Sequence, residues 1–96
     1  MEKYLDKIRR EHVSQAGRHL LVNPVTGRKV SRTRTVIIEG RPFPPKEVIR
    51  WAYCFATSTH YDNLPIEFTV TSYNPDIAQK KLKELDFAVY RNDQRL

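Results

Sequence analysis

The sequence predicts an α+β fold in which three helices pack on a small, mostly antiparallel β-sheet. Residues 32–39 are rich in β-branched side chains, which suit a strand. Residues 45–57 place apolar side chains at helical spacing. The 96 residues suffice for one domain, and 40% hydrophobic residues support one modest core. We therefore expect a single domain over residues 1–96 without a deep, enclosed active site.

The first third of the chain is predicted as one helix followed by less regular structure. Apolar side chains recur at helical spacing over residues 2–15, and Gly17 is expected to end the helix. Residues 19–22 favour a short strand. Residues 28–30 could return as its partner after a turn at residues 23–27.

The middle of the chain predicts a hairpin followed by a helix. The strand over residues 32–39 ends at a glycine turn, and residues 41–43 are expected to run back as a short arm. Pro44-Pro45 favours a helix start, because proline lacks the N–H that would be unpaired there. The helix is expected over residues 45–57 and forms the centre of the predicted core.

The last third predicts a second helix and a closing strand. Residues 66–71 are expected to be strand-like. The Asn-Pro-Asp run at residues 74–76 combines a capping side chain, a first-turn proline and an acidic group, which together start a helix that ends near Leu85. Residues 87–90 are then expected to form a strand, and residues 91–96 to be a frayed tail.

Two side chains of the predicted core helix give further expectations. Cys54 is the single cysteine, so the chain cannot form an internal disulfide. We expect it to be a small buried hydrophobe, and Trp51 to be largely buried. The N-terminus is charged, and no apolar stretch approaches the length of a membrane-spanning helix. These features lead us to expect a cytoplasmic protein with no membrane contact.

The positive charge is concentrated in one part of the chain. Residues 18–50 contain eight basic and two acidic side chains and so account for the whole net charge of +6, because residues 1–17 carry +1 and residues 51–96 carry −1. Arginine suits bidentate contacts with phosphate or carboxylate. The expected nucleic-acid-binding residues lie on the predicted strand and around the following helix start: Arg32, Arg34, Arg41, Lys46 and Arg50.

The sequence contains no catalytic motif that we recognise. The three histidines and the single cysteine do not have the spacing of a zinc site. Neither a phosphate-binding P-loop nor a dinucleotide-binding glycine pattern is present. We therefore expect a protein that is not an enzyme, with no cofactor, no metal and no small-molecule substrate.

From Thr35 onward the order of motifs resembles the small N-terminal domain of McrA-like, HNH-type restriction endonucleases and related defence proteins. The resemblance covers roughly residues 35–90, and the family's usual glycine before the last phenylalanine is Asp86 here. It is carried by a strand, the run Glu39-Gly40-Arg41-Pro42-Phe43-Pro44-Pro45-Lys46-Glu47-Val48-Ile49, an apolar helix, Phe68, a helix with Leu82 and Leu85, and Phe87-Ala88-Val89. The resemblance implies a DNA-associated module without a catalytic part.

Two kinds of binding function remain open at this point. The first is a module that binds nucleic acid, DNA over RNA, through phosphates and with little sequence specificity. The second is a protein-interaction module that docks an acidic partner, as a small inhibitor or adaptor in phage–host defence would. A solvated basic face with no partner is the simplest alternative. Tyr53, Tyr61 and Tyr73 are candidates for base stacking, although a structural role is expected for each.

Overall fold

The computed structural model describes residues 2–24, 33–68 and 75–96. Its helices are α1 (Glu2–Leu5), α2 (Arg10–Val22), α3 (Pro45–Thr57) and α4 (Pro75–Glu84). Its strands are β1 (Arg34–Ile38), β2 (Arg41–Phe43), β3 (Ala88–Arg91) and β4 (Gln94–Arg95), and short 3₁₀ turns occupy Tyr61–Asn63 and Ile66–Phe68. The predicted α+β class, with three long helices, is confirmed.

The four strands form one antiparallel sheet in the order β2-β1-β3-β4. The predicted hairpin of β1 and β2 is confirmed. Its connection is Glu39-Gly40, and both residues have positive φ, 52° and 79°. Two-residue hairpins favour this geometry because its twist matches that of the flanking strands. The turn fixes the register that places Val36 opposite Phe43.

The core lies between one face of the sheet and the helices. Val36 and Ile38 of β1 and Val89 of β3 are buried on this face, which follows from the alternation of side chains along a strand. Helix α3 contributes Val48, Ile49 and Ala52, which are fully buried. Its bounds, Pro45–Thr57, are those expected from the sequence, and it ends at Ser58 in the left-handed region (φ 56°).

The N-terminal helix prediction is wrong in its bounds. The expected helix over residues 2–15 is divided into α1 and α2, and the N–H of Arg9 donates to Nδ1 of His12 (2.9 Å) where α2 begins. Helix α2 then continues through Gly17, the expected stop, and through residues 19–22, the expected strand. Gly17 is buried because α2 crosses β1 closely. A Cβ there would lie 2.7 Å from Cγ2 of Ile38.

The prediction for the C-terminal residues is also corrected. Residues 91–96 were expected to fray, but Gln94 and Arg95 pair with β3 and form β4. The connecting turn contains Asn92 with φ 54°, a left-handed conformation that asparagine tolerates better than most residues. Part of the expected strand at residues 66–71 is the 3₁₀ turn Ile66–Phe68. The rest of that strand, like the expected strand at residues 28–30, lies outside the described residues.

Cys54 is buried, as expected. Burial, with a smaller effect of the nearby negative charge of Glu47, raises the pKa of its thiol to about 11. The thiol is therefore protonated near neutral pH and behaves as an apolar side chain. In the described part of the chain, no helix is both long enough and apolar enough to cross a bilayer.

Candidate nucleic-acid interface

Arg34 lies at the start of β1, on the same face of the sheet as Val36 and Ile38. This face is covered by helices, so the arginine does not project from an open strand face. Its Nη1 donates to Oδ1 of Asp76 (2.7 Å) and to Oε1 of Gln79 (3.3 Å). Arg34 therefore joins the beginning of β1 to the first turns of α4.

Gln79 of α4 is only 6% exposed, which is unusual for a polar side chain. Its Oε1 must face the Arg34 guanidinium, because a guanidinium has only donors. Among the described residues, the Nε2 of the same amide has no hydrogen-bond acceptor. The inward position of Gln79 thus follows from the inward position of Arg34, which sequence periodicity alone did not predict.

Lys46 and Arg50 lie one helical turn apart on α3, as the sequence predicted. The Arg50 side chain is 16% exposed, and its contacts include two hydrogen bonds. Its Nε donates to the carbonyl oxygen of Phe68 (2.6 Å), and its Nη1 donates to Oε2 of Glu47 (2.9 Å). Arg50 therefore stabilises the approach of the Ile66–Phe68 turn to α3, besides contributing positive charge.

Lys46 shows the electrostatic character of this region. Its side chain is half-buried. Burial lowers the pKa of Lys46 below the ordinary lysine value, and the positive charges of Arg50 and Arg34 lower it further. The positive charges of Arg34 and Arg50 thus both act on Lys46, and these three basic side chains are here called the cationic cluster. An anion placed among them would reduce this repulsion.

Arg91 extends the positive charge of the cluster toward solvent. It lies directly opposite Arg34 in the register of β1 and β3, on the same face of the sheet, and it is exposed. Arg91 was not among the predicted binding residues, because residues 91–96 were expected to be a frayed tail. Continued alternation after the buried Val89 is the signal that could have placed Arg91 on this face.

The other two predicted residues do not join the cluster in the structure. Arg41 pairs with Ile38, at the opposite end of β1 from Arg34, which separates the two arginines by roughly 13 Å along the strand. Arg41 is exposed. Arg32 lies outside the described residues. The structure therefore brings together Arg34, Lys46 and Arg50 and places Arg41 elsewhere.

A partly exposed aromatic surface lies on another side of α3. The ring of Trp51 stacks on Tyr61, with centroids 4.5 Å apart, and also contacts His19 at 3.9 Å and Phe55 at 6.1 Å. Trp51 is partly buried, less than the sequence suggested. Lys46 and Trp51 are five positions apart on α3, so their side chains differ by about 140° in direction around the helix. The aromatic surface and the cationic cluster therefore face different directions.

The three tyrosines considered for base stacking have different positions. Tyr53 is buried, 4.8 Å from the ring of Phe68 and 5.9 Å from that of Tyr4. Tyr61 is half-buried on Trp51, and its hydroxyl donates to Oε1 of Glu47 (2.6 Å). Both tyrosines therefore have structural contacts. Tyr73 lies outside the described residues.

Comparisons of the chain with protein-family models, with curated proteins and with solved structures gave no significant match. Within residues 2–24, 33–68 and 75–96, no three His, Cys, Asp or Glu side chains are grouped closely enough to hold a metal ion. What the arrangement offers chemically is a set of guanidinium, ammonium and amide donors around one end of the sheet. Such donors suit an anionic ligand.

Proposed function

We propose that the protein is a non-catalytic nucleic-acid-binding module that contacts phosphates through the cationic cluster and Arg91. The observation that carries this proposal is the convergence of Arg34, Lys46 and Arg50 at one end of the sheet, with exposed Arg91 directly opposite Arg34. Grouping like charges in a half-buried region costs free energy. A polyanion offsets that cost, and arginine and lysine are the side chains that most often contact phosphate.

The proposal favours DNA over RNA and little sequence specificity. The resemblance of residues 35–90 to the small domain of McrA-like endonucleases supports a DNA target. Asp86 occupies the position of that family's glycine and has φ 67°, a conformation in which glycine is the preferred residue. Phosphate contacts position a protein on nucleic acid without reading bases, so affinity should vary little between sequences.

The first prediction tests this site by charge reversal at exposed or half-exposed positions. Lys46→Glu and Arg91→Glu should each weaken binding to duplex DNA about tenfold at low salt, because each removes a phosphate contact and adds a repulsive charge. Fluorescence anisotropy with a labelled mixed-sequence duplex, its single strand and the equivalent RNA measures the affinities. Across a salt series, each variant should also reduce the log–log slope by about 0.9.

Arg41→Glu provides the matched control for this experiment. It makes the same change in charge at an exposed arginine of the same sheet, but at the far end of β1. We expect it to weaken binding less than about threefold. An equal loss in all three variants would show a diffuse basic surface rather than this site. Wild-type protein that binds none of the nucleic acids at low salt would exclude the proposed function.

The alternative function is docking of an acidic protein partner. The aromatic surface favours a protein partner, and the basic side chains favour an acidic one. Trp51, Phe55 and Tyr61 are partly exposed together, and Val22 is strongly exposed at the end of α2. Partly exposed aromatic side chains are common at protein interfaces. Failure of nucleic-acid binding at low salt would therefore promote this alternative over the nucleic-acid proposal.

A further inference from the structure

The ion pair between Arg34 and Asp76 joins two side chains of very different exposure. The Arg34 side chain is 18% exposed, whereas that of Asp76 is 73% exposed. Arg34 is also held from within the protein by the carbonyl oxygen of the buried Gln79 side chain. The guanidinium is therefore also held from the protein side, whereas most of the Asp76 side chain is in contact with solvent.

The Asp76 carboxylate occupies a position that suits a phosphate. Asp76 is in the first turn of α4, where unpaired N–H groups and the helix dipole favour negative charge. The Nε2 of Gln79 lies in the same amide that contacts Arg34 and has no acceptor among the described residues. It adds a donor beside the guanidinium that the Asp76 carboxylate does not use.

The second carboxylate near the cluster does not compete in the same way. Glu47 is buried, and it accepts hydrogen bonds from Arg50 and from the hydroxyl of Tyr61. Its charge is thus held inside the protein. Among the described residues, the carboxylate that contacts Arg34 is that of Asp76.

We propose that Asp76 occupies the place of a nucleic-acid phosphate, and that Arg34 exchanges this carboxylate for phosphate when the protein binds. This inference rests on the proposed function. It adds that the Asp76 carboxylate competes with phosphate for Arg34 and so lowers the affinity for nucleic acid. The ion pair that Arg34 gives up contributes only weakly to stability, because its Asp76 partner is mostly exposed. Arg34 needs no new rotamer for binding, because Gln79 already holds it.

The second prediction is that removing the carboxylate tightens binding. Asp76→Asn keeps the size of the side chain and removes its charge, and should lower the dissociation constant for duplex DNA about two- to fivefold at low salt. Glu84→Gln is the matched control, since it removes one exposed carboxylate from the same helix. It should change the dissociation constant less than about 1.5-fold. Both are measured by fluorescence anisotropy with the same labelled duplex.

A double-mutant cycle tests whether the gain passes through Arg34. In an Arg34→Gln background, Asp76→Asn should give no gain beyond that of Glu84→Gln, because the guanidinium for which the carboxylate competes is gone. Thermal melts by circular dichroism establish that each variant is folded. If Arg34→Gln does not fold, the comparison of Asp76→Asn with Glu84→Gln decides the inference alone.

The outcomes separate the two proposals. If the wild type binds DNA but Asp76→Asn binds no tighter than Glu84→Gln, the competitor role is excluded and the proposed function stands. A gain that persists without Arg34 would assign the effect to general electrostatics and also exclude the exchange. If neither the wild type nor Asp76→Asn binds any nucleic acid at low salt, the proposed function itself fails.

Discussion

Glu47 is the residue that connects the cationic cluster and the aromatic surface across α3. One carboxylate oxygen accepts from Tyr61, whose ring stacks on Trp51, and the other accepts from Arg50 of the cationic cluster. A buried carboxylate is costly unless it is paired and hydrogen-bonded. The position of Arg50 therefore depends on its hydrogen bonds to Glu47 and to the Phe68 carbonyl, as well as on any bound ligand.

The third prediction concerns this buried pair. Arg50→Met should reduce the free energy of unfolding by about 3 kcal/mol, because it removes a cation from the buried Glu47 and a donor from the Phe68 carbonyl. The double variant Glu47→Gln/Arg50→Met should recover part of this loss. Urea titrations followed by Trp51 fluorescence provide the measurement.

Arg41→Met is the control for the buried pair, because it applies the same substitution to an exposed arginine. Its effect should stay within about 0.5 kcal/mol. If Arg50→Met changed the free energy of unfolding as little as Arg41→Met, the contacts of Arg50 would have no structural role. Charge reversal at Arg50 could then be used directly to test binding.

At the scale of secondary-structure elements, Gly17 shows why α2 was predicted to end too early. Glycine is a common helix stop when only the local sequence is considered. In the structure, Gly17 lies inside α2 because its missing side chain allows β1 to approach, with Ile38 directly against it. The cause is a contact between residues far apart in sequence, which periodicity does not contain.

The fourth prediction is that Gly17→Ala destabilises the protein despite the better helix propensity of alanine. The propensity gain is about 1 kcal/mol, but the new Cβ would lie 2.7 Å from Cγ2 of the buried Ile38. Overpacking of this kind costs about 1–3 kcal/mol. We expect a net loss of up to about 2 kcal/mol, measured by thermal or urea unfolding.

Two further variants complete the test at Gly17. Gln15→Ala lies on the exposed side of α2 and should change stability by less than about 0.5 kcal/mol. In an Ile38→Ala background, which removes the crowded methyl group, Gly17→Ala should be neutral or stabilising. A stabilising Gly17→Ala in the wild-type background would contradict the close approach of α2 and β1.

Elements whose signals are local were predicted well. Helix α3 matches its expected bounds, because the prolines that start it and the apolar residues that form its buried face are all local to this segment. Lys46 and Arg50 could be placed on one face for the same reason. The sequence could not show that Arg34 turns inward, because that depends on the docking of α4. Arg91 was not predicted because residues 91–96 were expected to fray, although the alternation that buries Val89 would have placed it on the same face as Arg34.

At the scale of the whole molecule, Tyr4 and Glu67 join α1 to the Ile66–Phe68 turn. A hydrogen bond from the Tyr4 hydroxyl lowers the pKa of the Glu67 carboxyl, and the same bond raises the pKa of Tyr4. The ring of Tyr4 also lies 5.7 Å from that of Phe68, a fully buried core side chain. The contacts of Tyr4 thus connect α1 to the core, so their loss should affect global unfolding.

The fifth prediction is that Glu67 contributes to stability only when it is ionised. Its pKa is lower in the folded protein than in the unfolded chain, so its contribution is present above the unfolded value of about 4.3 and is lost as pH falls through the folded value. Glu67→Gln should therefore be less stable than wild type at about pH 7, and the difference should shrink toward about pH 3. Tyr4→Phe, which removes only the hydroxyl, should show the same convergence in urea titrations at the two pH values. A difference that stays constant with pH would show that the Glu67 charge makes no contribution to stability.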